Sequence, residues 1–388
     1  MIKLTAGQET AKTRFMSWWN FRTKQTFIIS GQAGTGKTFL VQYLIESIGL
    51  DLSEVMFLTY VGKATLALQK NGIPSQTIHS AICDYELVVM KDENGNAVYK
   101  DDGNVAMKPL FKRKESLPEN IRLIVIDEGS MVDSVLGKWL IDYDIPIVVL
   151  LDMNQLPPVF GVPFFSQQPD VILTEIMRQS KDSPIPYFAD KILKGNIIKY
   201  GSYGDKTILV TPRVNPDSYM NANVVICAKN KTRNKLNTFI REDLLGIHSE
   251  NPIIGDKLIC RKNNWTIVND DGIALVNGLT GTIDDIYQEN ITKNVMPIDF
   301  KPEDFESTFY NIQLDRNAFK GEKNIKELKS FSPYEVFELG YVITCHLAQG
   351  SQYSKVLVVF ETIGGNSFSQ KWLYTAVTRA VDKLILIL

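Results

Sequence analysis

The chain has 388 residues, of which 44% are hydrophobic and 22% charged, and a formal net charge of −2. That length accommodates two or three domains with real cores, and the charge balance excludes a surface coated in basic residues. A local basic groove for nucleic acid is not excluded, because the field that matters there is local.

Thr5 and Gln8 have the spacing of a capping box, and residues 9–21 carry a helical pattern. The opening Met1-Ile2-Lys3-Leu4-Thr5 has no apolar signal core, and no later apolar run is long enough to cross a bilayer. The four cysteines, Cys83, Cys227, Cys260 and Cys345, form no C-x-x-C pair. They read as buried thiols in a reducing compartment, so a cytoplasmic protein is expected, with no membrane partner.

Phe27-Ile28-Ile29 is followed by Gly31-Gln32-Ala33-Gly34-Thr35-Gly36-Lys37-Thr38 and then by the helical pattern of residues 39–48. This is strand, glycine-rich loop and helix, and it satisfies G-x-x-x-x-G-K-[ST] at every fixed position. The glycines let backbone N–H groups around Gly34, Thr35 and Gly36 turn inward as an anion nest, and the helix N-terminus adds its positive end. Lys37 reaches the β- and γ-phosphates and the Thr38 hydroxyl is a ligand for Mg²⁺. A nucleoside triphosphate, ATP, is the expected cofactor, with Mg²⁺.

Residues 55–58 read as a buried strand and 63–70 as a helix, followed by Thr77-Ile78-His79-Ser80. Residues 84–118 change character. Asn94-Gly95 lies between two β-leaning runs, 86–90 and 97–100, which is a strong hairpin signal, and a basic patch follows at 108–114. An inserted hairpin subdomain is expected there.

The strand pattern of residues 123–126 runs into Asp127-Glu128, and that of 147–151 into Asp152. Strands alternating with helices predict a doubly wound parallel sheet, which binds ligands at the carboxyl ends of its strands. Asp127 is placed to serve the metal and Glu128 the attacking water. Gln155 is uncharged, so it can sense a γ-phosphate by hydrogen bonding alone. Arg178 and Arg379 are candidates for stabilising charge on a transferred phosphoryl group.

Residues 182–186 read as a linker and 224–227 as the strand opening a second α/β unit, with a helix over 231–245. Residues 253–333 are rich in Gly, Asn and short β runs, which predicts a small inserted β-barrel. Residues 333–339 carry a helical pattern, 341–344 and 356–360 are strands, 372–380 a helix and 384–388 a last strand.

The ordered set of motifs resembles the superfamily 1B DNA helicases, the RecD and Dda group. The matching stretches are residues 4–8, 31–38, 58–67, 77–80, 126–131, 151–159, 173–179, 341–359 and 373–380. The most specific are Thr344-Cys345-His346-Leu347-Ala348-Gln349-Gly350-Ser351 and Tyr374-Thr375-Ala376-Val377-Thr378-Arg379-Ala380.

The resemblance implies an α/β fold of two RecA-like P-loop domains with parallel sheets and ATP bound between them. Residues 1–83 with 119–182 would form the first, and 183–252 with 334–388 the second. A strand-separating hairpin pin at 84–118 and an SH3-like barrel at 253–333 would be the insertions. The implied activity is ATP-dependent unwinding of DNA with 5′-to-3′ translocation. The partners would be single-stranded DNA and single-strand/duplex junctions, together with a single-strand-binding protein or replication, repair or recombination factors. A monomer in a bacterial or phage-infected cell is expected.

Carried over by position, Gln8 reads the adenine as well as capping its helix, and Gly350 joins the nucleotide site. Lys37, Glu128, Gln155, Arg178 and Arg379 are the catalytic set, and Thr38 and Asp127 the metal set. Thr59, Lys63, Thr77, His79, Pro157, Thr344 and His346 meet the strand, as do Asn277 and Trp265 in the barrel. Tyr85 and Tyr99 could stack on a base, worth about 1–3 kcal/mol. Two departures from the pattern are Gly129 where Ala or Val is usual, with little consequence expected, and Leu151 where Gly often precedes the Asp.

Other readings have weaker support. They are a translocase that displaces proteins or remodels junctions, an ATP-switched DNA-binding module, and a P-loop small-molecule kinase. The late Arg379 motif and the second α/β unit argue against the last.

Overall fold

The computed structural model describes residues 4–92, 94–100, 103–157, 163–176, 183–303, 305–320 and 325–388. The chain divides into two compact units, one of residues 1–84, 113–229 and 344–388, the other of 85–112 and 230–343. Both α/β sheets expected from the sequence lie in the first unit. The hairpin and the β-rich insertion lie in the second, which gives two units where four parts were expected.

The first unit contains a six-stranded sheet in the order Ser75–Thr77, Val55–Thr59, Leu123–Asp127, Ile147–Leu151, Thr26–Gly31, Val171–Leu173. Every pairing in it is parallel. The strands Val55–Thr59 and Ile147–Leu151 are buried along their whole length, as parallel strands covered on both faces must be. Helix Ala6–Phe21 packs Phe15 and Trp18 against Phe27 of the phosphate-loop strand. Its start is the expected capping box, with Thr5 accepting from Gln8 N–H and Gln8 Oε1 accepting from Thr5 N–H.

The strands of the second sheet within this unit run Val224–Cys227, Tyr353–Val359, Ala380–Ile387, Ile208–Thr211, Gly201–Tyr203, with only the last pairing antiparallel. The strands Gly201–Tyr203 and Ile208–Thr211 precede the point where the sequence suggested that this sheet begins. The linker read at 182–186 is corrected in part, because helix Ile185–Leu193 starts there with a proline in its first turn. Proline fits that position because its missing N–H would be unpaired in any case.

In the second unit, Asp92 to Asn96 forms a tight turn. The Asp92 carboxylate accepts from the N–H groups of Asn94 and Asn96, and Gly95 takes φ 85°. Lys100 N–H donates to Asn104 O and Tyr99 pairs with Val105, so the described residues form a meander rather than one hairpin. Tyr85 meets Phe111 edge-on, whereas Tyr99 is 62% exposed.

The β-rich insertion is a five-stranded antiparallel sheet in the order Phe309–Asp315, Val295–Pro302, Thr280–Ile286, Lys257–Cys260, Phe337–Leu339. Its core gathers Phe300, Phe309 and Phe337. The helix suggested over 333–339 is corrected to extended chain, whose end pairs with Lys257–Cys260. Gly340 lets the backbones approach, since a Cβ there would lie 2.7 Å from the Leu258 carbonyl group.

Helix Asn230–Thr238 gives way to a π-helix, Phe239–Leu244, within the single helix expected. Arg241 in that π turn pairs with Asp256, which also accepts from Ile253 N–H and Tyr341 O–H. Among the described residues no helix is long and apolar enough to cross a membrane. All four cysteines are buried.

Arg241 and Asp256 are 7% and 0% exposed. Removing one member of such a pair strands a charge in low dielectric, so Asp256→Ala should lower stability by about 3–5 kcal/mol in urea unfolding. A loss under about 1 kcal/mol would contradict this account of the pair.

Candidate nucleotide site and its surroundings

The phosphate loop leaves strand Thr26–Gly31 and enters helix Lys37–Ser47 with Gly34 at φ 84° and Gly36 at φ 75°. Both angles lie in the left-handed region, where a side chain is disfavoured. Thr35 N–H and its hydroxyl both donate to Gln32 O, closing the turn. Lys37 Nζ donates to Gly31 O at 2.7 Å and Gln32 O at 3.2 Å, so its ammonium lies over the loop. Thr38 occupies the second position of the helix.

Asp127 and Glu128 stand at the carboxyl end of strand Leu123–Asp127. Burial raises the Asp127 carboxyl above its ordinary range, opposed by Lys37 and by the Glu128 N–H, which donates to it at 2.9 Å. Burial likewise raises Glu128, with Asp127 adding to the rise, Arg379 and Lys37 opposing it and Asp152 contributing again. Glu128 also has φ 53°, a left-handed conformation that costs a non-glycine residue energy. A strained acid with a raised pKa is the profile of a group kept for proton handling.

Gly129 bears on the same turn. A Cβ there would meet Val149 Cγ1 at 2.3 Å and the Leu150 carbonyl at 3.4 Å. The expectation of little consequence is therefore corrected: this position needs glycine because a stiff β-branched neighbour fills the space.

Asp152 and Gln155 are buried in the loop after strand Ile147–Leu151. The Asp152 carboxylate accepts from Asn154 N–H and from the Tyr374 hydroxyl. Helix Asn366–Val377 holds the same loop at two further points, Thr375 Oγ1 accepting from Leu156 N–H and Lys371 donating to Met153 O. Gln349 donates to Leu156 O. Arg379 is 4% exposed and donates to Thr375 O, Ser351 O and Thr378 Oγ1. None of these links was legible in the sequence. Tyr374 and Gln349 stood in the quoted motifs without an assigned part.

The residues fit ATP and Mg²⁺. Gln8 is 1% exposed, and its Nε2 is a buried donor with no partner, as expected of a group that meets a base edge. Among the described residues no three acidic, His or Cys side chains cluster as a metal cage. Magnesium needs no such cage, since it is held by one or two protein oxygens with phosphate and water.

The expected strand-contacting residues are spread more widely. Thr59 is fully buried, and its hydroxyl is engaged with Val61 O and Thr65. Lys63 is likewise engaged within the protein. It is buried, with its ammonium 3.2 Å from the Tyr353 hydroxyl and 4.6 Å from that ring's centre. Thr77 caps helix Ile78–Ile82.

His79 and His346 are half-buried, and burial lowers both below the ordinary imidazole value, so at pH 7 they are neutral. Thr344 is buried and Pro157 half-buried. Gly350, expected at the nucleotide, has φ 74° with a Cβ position 3.3 Å from Ala64, so a turn and close packing explain the glycine. Asn277, expected to meet the strand, is half-buried, with its N–H donating to Asn263 Oδ1. Arg178 and the side chain of Trp265 lie outside the described residues.

The AAA domain family matches residues 20–161, and the UvrD-like helicase C-terminal domain family matches residues 339–387. Both the phosphate loop and the Arg379 motif fall inside those matches. The chain resembles the superfamily 1B DNA helicases. It is 27% identical over 379 residues to the ATP-dependent RecD2 DNA helicase of Deinococcus radiodurans, covering 92% of this chain and 46% of that protein. It is 28% identical over 305 residues to the ATP-dependent DNA helicase dda of Enterobacteria phage T4, covering 69% of this chain and 63% of that protein. It thus spans less than half of the RecD2 protein. In fold it is similar to the Bacteroides Pif1 bound to single-stranded DNA, with TM-score 0.54, 17% identity and coverage of 100% of this chain and 93% of that one.

Gly129→Ala tests the packing at the acidic turn. Overpacking against Val149 should cost about 1–3 kcal/mol in chemical denaturation. An unchanged midpoint would mean that the turn yields freely.

Proposed function

We propose that the chain is an ATP-dependent DNA helicase that moves 5′ to 3′ on single-stranded DNA. One observation carries the reading. The phosphate loop, the Asp127–Glu128 acids, the Gln155 loop and Arg379 come together in one compact unit, which also holds the unpartnered Gln8 donor. The relatives whose printed names describe DNA helicases support it.

Bound ATP with Mg²⁺ supplies the phosphoryl group and the cation that offsets charge developing on it. The parts of the chain then follow from their chemistry. Lys37 exchanges its two loop carbonyls for phosphate oxygens. The hydroxyl of Thr38 and the carboxylate of Asp127 hold the metal. Glu128 orients the attacking water and takes up its proton. Gln155 senses the γ-phosphate, and Arg379, with Arg178, stabilises the charge that develops on it.

Residues 84–118 are read as the pin that splits the duplex, with Tyr99 the more exposed of its two tyrosines. The antiparallel sheet of 253–333 is read as a barrel-like insertion that helps to hold the strand, with Asn277 on it. His79, Pro157, Thr344 and His346 are read as its contacts in the motor. A monomer acting in the cytoplasm, on single strands and junctions and with single-strand-binding or recombination factors, completes the proposal.

The test is ATP turnover with and without single-stranded DNA, followed by unwinding of duplexes carrying a 5′ or a 3′ tail. Stimulation by DNA and unwinding from the 5′ tail alone are expected; unwinding only from a 3′ tail would overturn the polarity. Lys37→Ala should lower kcat by about 10²-fold or more while strand binding persists, because a transition-state donor is lost; retained turnover would overturn the motor reading. Shortening the turn at residues 92–96 should spare DNA-stimulated ATPase and reduce unwinding. Full unwinding by that variant would remove the pin from the proposal.

A further inference from the structure

We propose that Tyr374 is a positioning residue that couples the phosphate loop to loop 152–156 and to Arg379. The observation is a hydroxyl bonded on both sides. Tyr374 O–H donates to Asp152 Oδ2 at 2.6 Å, and the same oxygen accepts from Ala33 N–H at 3.1 Å. A phenol has one proton, so the Asp152 bond uses it and the second bond must come from a donor, here a phosphate-loop amide.

Tyr374 and Asp152 are each 1% exposed, and a charge-assisted bond in such surroundings is strong. Burial, and then Asp152, hold the phenol far above its usual range, so it stays a donor at all working pH values. The other ties to loop 152–156, from Thr375, Lys371 and Gln349, are made to Leu156 and Met153 and do not include the phosphate loop. The Tyr374 hydroxyl bonds to both loops.

The second half of the coupling is in the chain itself. Thr375 follows Tyr374, and its carbonyl accepts from Arg379 Nε at 3.1 Å. A phosphate that recruits the Ala33 N–H withdraws one of the two bonds of Tyr374. Loop 152–156 and the Arg379 anchor are both attached to the helix that carries Tyr374. Occupancy of the loop is thereby transmitted to the sensor and the arginine through one oxygen atom. The plain alternative is that Tyr374 only fills core volume, and Tyr374→Phe separates the two because it keeps the ring and removes only that oxygen.

This inference rests on the ATPase reading. Steady-state ATP turnover is measured with poly-dT for wild type, Tyr374→Phe, Asp152→Asn and the double variant, with affinity for a fluorescent ADP analogue as the check of folding. For Tyr374→Phe, kcat should fall about tenfold or more, with KM for ATP within about threefold and the ADP analogue still bound. The double variant should be no worse than the poorer single, since both changes act on the same Tyr374–Asp152 bond. A kcat within about twofold of wild type, a change in KM alone, or additive losses in the double variant would each overturn the proposal. A wild type without ATP turnover overturns the parent reading and this one with it, whereas turnover in wild type with an indifferent Tyr374→Phe overturns this one alone.

Discussion

Two neighbouring carboxylates held out of water at the end of a buried strand set the terms for the rest of the first unit. Asp127 and Glu128 are both raised by burial, and Asp127 makes Glu128 harder still to ionise. Such a pair is tolerable only where cations offset it, and Lys37 and Arg379 are the cations that act on Glu128. One comes from the start of the chain and the other from its end. The acidic turn therefore requires the first and last parts of the sequence to meet, and the strain at Glu128 is held by that surrounding structure.

The parallel sheet provides the geometry. Six strands running the same way bring Gly31, Asp127 and Asp152 to one edge, where helix N-termini and glycine-rich turns can offer N–H groups. Helix Asn366–Val377 then attaches to the Asp152 loop by side-chain bonds to backbone atoms, which fix position more tightly than apolar contact does. The acidic turn, the Asp152 loop and the last helix are thereby joined by hydrogen bonds and charge.

The second unit uses a different physics. Its antiparallel sheet is stabilised by a phenylalanine core and by buried ion pairs. Arg241 meets Asp256, and Arg233 and Arg261 share Glu338. Such pairs add directional constraint more than net stability. The meander at its edge instead presents Tyr99, Leu87 and Met107 to solvent, a distribution suited to contact rather than to a core.

Much of the fold was legible in the sequence because its signals are local. The phosphate loop is defined by residues 31–38 alone, the strand before Asp127 by an unbroken apolar run, the capping box by a three-residue spacing and the turn at Asn94-Gly95 by a dipeptide. The errors were also local. The pattern at 333–339 mimicked a helix because the four consecutive residues Tyr334, Glu335, Val336 and Phe337 are all buried, which shows no alternation, and only pairing with Lys257–Cys260 decided for strand. Long-range contacts left no such trace. Nothing near Thr59 or Lys63 indicates that Thr65 and Tyr353 engage them. Nor does any spacing announce that the Tyr374 hydroxyl reaches Ala33 and Asp152, because a hydrogen bond between residues 341 positions apart depends on how two sheets are brought together. The sequence by itself determined the chemistry of the phosphate loop and the parallel α/β character of the sheet that carries it. Only the tertiary structure decided which charges face one another, because burial and distance, not residue type, set the energy of a charge.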